Sequence, residues 1–320
     1  MRPFFLWILL LLLLVNTTAY SQTGPVSSDD YYNRGSARDS KGDHDGAIAD
    51  YTKAIELNPQ YAAAYTSRGF VRNAKGDTDG AVADWTKAIE VNPQFAAAYN
   101  NLGNARGAKG DHDGAIGDYT KAIELNPQYA EAYFNRGNAR GAKGDANGAI
   151  ADYTKAIELN PQFAPAFFNR AVVRKAKGDP GGAIADYTKA IELNPRHAEA
   201  YSNRGSARSA KGDADGAIGD YTKAIEVNPQ FPLAYFNRGF ERYPKGDLDG
   251  AIADFTKAIE FRPQYANAYA LRGLVKLSQH KDAEAQPDFD SAFKIDPSLK
   301  PRLESMINDI KQSRAATAKP

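Results

Sequence analysis

The chain has 320 residues, with 40 lysines and arginines against 39 aspartates and glutamates, no cysteine and two methionines. Without cysteine there is no disulfide framework and no thiol for a lipid anchor, and charges that nearly balance and are dispersed along the chain exclude the basic stripe with which proteins hold nucleic acid. The length would suffice for two ordinary domains, but a recurring phrase has to be explained before domains are counted.

The chain begins Met1-Arg2-Pro3 and continues with an unbroken apolar run, Phe4 to Val15, followed by "NTTAYSQT" with small residues at Ala19 and Ser21. A charged start, a short apolar stretch and small residues after it predict a secretory signal peptide over residues 1–21. The run falls short of the roughly twenty residues that span a bilayer. Export to the periplasm or the medium is expected, with membrane attachment only if this segment stays uncleaved. Residues 22–27 read as a linker.

The stretch "KGDHDGAIADY", residues 41–51, resembles the opening of a calcium loop. Such a loop needs oxygen ligands at its first, third and fifth positions, glycine at the sixth and a glutamate at the twelfth. Counted from Asp43, the fifth position is Ala47 and the twelfth is Ala54. A helix start fits instead, with Asp43 capping free N–H groups and Asp45 adding negative charge to the first turn. The sister phrase "KGDPGGAIADY" agrees, because Pro180 after Asp179 suits a first helical position.

Asn-Pro recurs from 58–59 to 228–229, and proline alone persists at Pro263 and Pro297, always in steps of 34 residues. Glycine keeps the same period from Gly35 to Gly273, with Ala171 in the one exceptional slot. Each copy divides into two helices, in the first copy roughly 28–40 and 44–57. In the second of these Ala47, Ile48, Tyr51, Ala54 and Ile55 form one apolar stripe at helical spacing. Lys-Gly-Asp ends one helix and starts the next, and Asn-Pro ends the second. No segment alternates with the two-residue period of a strand.

These residues resemble the tetratricopeptide repeat, whose 34-residue pattern has an aromatic at position 4, glycine at 8, alanine at 20, an aromatic at 24, alanine at 27 and proline at 32. With position 1 at Ser28, the first copy supplies Tyr31, Gly35, Ala47, Tyr51, Ala54 and Pro59. Eight copies cover 28–299. The resemblance implies an all-α, right-handed solenoid (a superhelix) of eight helix-turn-helix repeats whose concave groove is lined by positions 2, 5, 9 and 12 of the first helices.

The chain departs from the family pattern at positions 7 and 11. Position 7 is arginine in every copy but the third, where it is Leu102, and position 11 is arginine from Arg38 to Arg242 and then Lys276. Position 23 is aspartate throughout, from Asp50 to Asp288. The matching acid in each copy predicts pairing across the seam between the two helices, in preference to a basic ligand-binding stripe.

Chemistry is hard to find. His44, His112, His197 and His280 lie in separate copies with no nucleophile and orienting acid at any fixed offset. No enzymatic activity, cofactor or metal is expected. Binding of a protein or peptide partner is the better reading, because the groove positions vary while the scaffold positions do not. Phe134, Phe168 and Val172 form one apolar group in copies four and five, and Leu233, Phe236, Phe240, Tyr243, Leu274 and Leu277 form a longer one in copies seven and eight. They either face the groove as an interaction patch or pack on a neighbouring helix.

Position 6 is asparagine at Asn33, Asn101, Asn135, Asn169, Asn203 and Asn237. A row of carboxamides can donate to and accept from the backbone of an extended peptide. The alternative is a hydrogen bond within or between copies. Positions 2, 5 and 9 hold no lysine or arginine, so capture of a C-terminal carboxylate is not expected.

In the last copy, Pro287 is expected to kink or delay the second helix. Residues 300–314, with Leu303, Met306, Ile307 and Ile310 on one side, read as a helix that caps the final repeat, and 315–320 as a frayed tail. The sequence thus suggests a monomeric, exported interaction scaffold. A self-associating structural repeat protein of the cell envelope is the alternative.

Overall fold

A computed structural model describes residues 26–317, and every regular element among them is helical. The expected signal peptide, 1–21, lies outside the described residues. The chain divides into two compact units, one ending at Ala105 and the other starting at Arg106. The first unit holds the helix pairs Ser28–Asp39 with His44–Leu57 and Ala62–Ala74 with Thr78–Val91, and most of Ala96–Ala108. The second begins with His112–Leu125, the second helix of copy three. Five pairs follow it: Ala130–Ala142 with Ala146–Leu159, Ala164–Ala176 with Pro180–Leu193, Ala198–Ala210 with Ala214–Val227, Pro232–Arg242 with Leu248–Phe261, and Ala266–Ser278 with Asp282–Ile295. A short 3-10 turn, Pro297–Leu299, leads into the last helix, Lys300–Thr317. Within each unit a first helix packs on its own second helix, which packs on the first helix of the next copy. This nearest-neighbour stacking defines an α-solenoid.

The turn between paired helices depends on a left-handed residue. Gly42 has φ 80° and its counterparts through Gly246 lie in the same region, which costs glycine nothing. The next residue caps the second helix: Asp43 Oδ1 accepts from the Gly46 N–H at 3.0 Å, and the aspartates from Asp77 to Asp247 repeat the bond. Asp45 is taken up by a hydrogen bond from Lys75 of the following copy. Copy eight departs from the rule, with His280 at φ 63° and Lys281, which forms no side-chain cap, in the cap position.

Ala47 and Ala54 are fully buried, and Tyr51 is nearly so. The helices come close enough that a Cβ on Gly35 would lie 2.9 Å from the Tyr51 ring. Copy five fits Ala171 against Tyr187, with both buried, so a methyl is the limit of what this seam accepts.

The expected arginine–aspartate pairing is present. In copy four Arg136 Nε and Nη2 donate to Asp152 Oδ2 and Oδ1 at 2.9 and 2.7 Å, and Arg140 Nη1 adds a third bond at 2.9 Å. The remaining Arg136 nitrogen, Nη1, donates to Thr120 Oγ1 of the preceding copy at 3.1 Å, and the guanidinium lies over the Tyr133 ring. The two-pronged grip recurs at Arg34–Asp50, Arg68–Asp84, Arg170–Asp186, Arg204–Asp220, Arg238–Asp254 and Arg272–Asp288. In copy three, where Leu102 occupies position 7, the ion-pair partner of Asp118 is Arg106. The hydrogen bond from Arg34 holds the Asp50 carboxyl below its ordinary range. Burial, incompletely offset by Arg106, pushes Asp118 up to about 6.

The C-terminal helix caps copy eight as expected, with Leu303 buried against Leu274, Leu277 and Phe289. Arg314 Nη1 donates to the Leu277 carbonyl at 3.1 Å and to Asp282 at 2.9 Å. It runs to Thr317, beyond the expected end at 314. Of the expected kink or delay at Pro287, the delay does not occur: Asp282–Ile295 is one helix that starts at the same repeat position as its sisters. The missing N–H falls early in that helix on an exposed face, where water can satisfy the freed carbonyl.

Two outcomes should be visible in urea unfolding. Asp152→Asn leaves Arg136 and Arg140 without their shared carboxylate and should cost about 3 kcal/mol at neutral pH, whereas Asp118→Asn should cost less. Asp118 holds its proton more tightly when folded, so its charge weakens the fold as pH rises from 3.8 to about 6. Asp50 has the opposite sign, stabilising above 3.8 and losing that contribution on acidification. Asp118→Asn should therefore remove the part of the pH dependence that lies between 3.8 and about 6.

Candidate functional site

In the second unit the first helices of copies four, five, six and seven touch in succession, which makes them one continuous face. Positions 5, 6, 9 and 12 of each helix belong to it by helical spacing. The site residues expected from the sequence take three kinds of position on that face.

The aromatics at position 5 are half-buried wedges. Phe134 lies 4.9 Å from Phe163 and 5.8 Å from Tyr153, Phe168 lies 4.7 Å from His197 and 5.7 Å from Tyr187, and Phe236 lies 4.7 Å from Tyr265 and 5.7 Å from Phe255, as ring-centroid distances. Each ring therefore closes the seam of its own copy and shows one edge to the face. Tyr243 is similar, with its hydroxyl 2.8 Å from Ser278 Oγ and its ring against Phe255 and Val275.

The asparagines are also half-buried. Asn169 Nδ2 donates to Asn138 Oδ1 at 2.8 Å, and the same oxygen accepts from Tyr153 Oη at 2.8 Å. At this copy the carboxamide thus joins neighbouring repeats. Asn135, Asn203 and Asn237 hold the same position on the helices of copies four, six and seven, while Asn101 belongs to the first unit.

Position 9 is the open one. Phe240 is 52% and Val172 41% exposed, large values for such side chains. Leu274, expected among the partner contacts, is 1% exposed where it packs with Leu303 of the C-terminal helix, and it also lines the apolar cleft beside that helix. It is a core residue of the capped end.

Two clefts open beside Phe240. The first, of about 260 Å³, is lined by Ser206, Ser209, Tyr221, Phe236, Asn237, Phe240 and Glu241. The second, of about 270 Å³, lies between copies seven and eight and the last helix, where Phe236, Phe240, Leu271, Leu303 and Met306 make it mostly apolar, with Asn267 and Arg302 at its edge. Sequence reasoning missed Glu241 and the part played by the last helix. A signal for Glu241 was present, because position 10 holds alanine or valine in the other seven copies, Ala37 and Val71 among them.

The stacked pairs and their open first-helix face define a helical-repeat interaction scaffold. The chain belongs to the tetratricopeptide repeat family: a TPR repeat profile matches residues 71–110, 106–144, 173–212, 205–243 and 241–279, and further tetratricopeptide repeat profiles match 28–61, 130–163 and 152–185. Among solved structures it is similar to YrrB, described as a TPR protein with an unusual peptide-binding site, at 26% identity and a TM-score of 0.51 over 57% of this chain and 95% of that one. It is similar in fold to PilW, a type IV pilus biogenesis factor, at 21% identity and a TM-score of 0.58 over 65% and 96%. A tetratricopeptide repeat protein from Parabacteroides merdae aligns at 21% identity and a TM-score of 0.54 over 78% and 98%. A comparison with curated proteins finds no match. No helix among the described residues is long and apolar enough to cross a membrane.

The division between wedges and open residues is measurable. Phe236→Ala, which empties a slot between two rings, should cost about 2 kcal/mol in urea unfolding, whereas Phe240→Ala should leave stability within about 0.5 kcal/mol of the native chain.

Proposed function

We propose that the chain is an exported scaffold that holds an extended segment of a partner protein along the first-helix face of copies four to eight. The exposed Phe240 ridge between two clefts carries this reading, because a large exposed ring on an otherwise well-packed face offers contact area at little conformational cost. Val172 extends the apolar contact toward copy five. Asn203 and Asn237 supply donors and acceptors for a peptide backbone, giving grip with little sequence preference. The peptide-binding site in the description of YrrB supports the same use of a related fold. Export follows from the apolar run Phe4–Val15 and its flanks.

Selection of a displayed random-peptide library against the full chain tests the reading. Selected peptides should bind a Phe240→Ala, Val172→Ala double variant at least about tenfold more weakly, a loss of about 1.4 kcal/mol. Equal binding by the variant would move the site elsewhere. Light scattering over a concentration series should return a single mass, and a mass that climbs with concentration would favour self-association instead.

A further inference from the structure

The buried carboxylates of this chain follow one rule with one exception. Each of the eight aspartates at position 23 is buried and has an arginine nitrogen within 2.8 Å. Glu241 is also buried, though less deeply, at 9% exposed, and no cation pairs with it among the described residues. Its one hydrogen bond comes from the Ser209 hydroxyl, at 2.5 Å to Oε1. The nearby arginines of copy seven, Arg238 and Arg242, are committed to Asp254 and Asp247. Lys175 of copy five donates to Ser206 Oγ at 2.6 Å.

A desolvated carboxylate without a counter-charge is costly, and a hydroxyl bond offsets only part of that cost. The slot does not need it, since alanine or valine fills position 10 in the other copies. Glu241 also lines an open cleft, with Phe236 and Phe240 as apolar walls and Ser206, Ser209 and Asn237 as polar ones. An acid, aromatic rings and hydroxyls lining one cleft suit an alkyl stem that ends in a cation. Across Phe240, the second cleft is mostly apolar and holds no acid, its polar lining being Asn267 and the cationic Arg302.

We propose, building on the groove-binding reading, that the cleft between copies six and seven is the receptor for a lysine or arginine side chain of the bound peptide, with Glu241 as its counter-charge, while the cleft on the far side of Phe240 takes a bulky apolar side chain of the same peptide. The missing partner of the buried carboxylate is then the ligand.

The test uses the full chain and an array of short N-acetylated peptides, each carrying one leucine and one lysine at every relative spacing, against a matching array with norleucine in place of lysine. For the best spacings the lysine peptides should bind at least about tenfold tighter at low salt. Glu241→Gln, nearly the same shape, should bring that ratio to about one while the norleucine peptides bind as before. Equal binding of the two arrays, or a lysine preference that survives in the variant, would overturn the assignment and leave the groove-binding reading standing. Failure of every peptide to bind would overturn both. Glu241→Ala, which restores the residue of the sister copies, should raise the melting temperature. A fall would assign the glutamate to holding Ser209 in place and would overturn its role as a receptor.

Discussion

The structure depends on a carboxylate at the seam of each helix pair, gripped by guanidinium groups from the facing helix. The rest of the seam is apolar, made of alanine, glycine and aromatic rings. A two-pronged arginine–carboxylate contact is directional, so it fixes register where the apolar packing does not. The same guanidinium reaches the threonine of the preceding copy, as Arg136 reaches Thr120. One side chain thereby ties a pair together and ties that pair to its neighbour. A buried ion pair adds little net stability compared with an apolar isostere, and its use here is to specify one arrangement among several.

This internal pairing explains the charge pattern of the chain. Arginines that would make a basic stripe are taken up by the seam aspartates, two sharing one carboxylate as Arg136 and Arg140 share Asp152, and several turn lysines meet an acid of the copy before, as Lys245 meets Asp215 at 2.7 Å. The variable side chains at positions 5 and 9 lie on the first helices. There the copies differ, with exposed rings at Phe70 and Phe240 and, at position 10, a glutamate in copy seven alone.

Much of the fold was legible in the sequence because its signals repeat. The expected helices of the first copy, 28–40 and 44–57, fall within a residue of Ser28–Asp39 and His44–Leu57. The arginine–aspartate pairing was readable because both partners recur at fixed offsets, whereas Thr120 as the third member was not, since threonine mid-helix carries no distinct signal. The site was less legible. At position 5 an aromatic can be a wedge or a contact, and only the rings of Tyr153 and Phe163 around Phe134 decide it. The burial of Leu274 was not readable because its sequence neighbours do not tell what the C-terminal helix covers. Glu241 escaped notice because an acid on a helix is ordinarily solvated, and what mattered was the slot it occupies.

The C-terminal helix is more than an end piece. Leu303 and Met306 line the apolar cleft with side chains of copies seven and eight, so whatever lodges there rests on the cap and on both repeats together. Occupancy and the docking of that helix are therefore reciprocal: a filled cleft fastens the end of the stack, and a loosened end weakens the ligand's hold by the same free energy. Copy eight, with a histidine in a glycine's conformation and no aspartate cap, lacks two features that steady the turns of its sisters. The partner would then act as the last clamp on the array, and its departure would be felt first as fraying at the C-terminus.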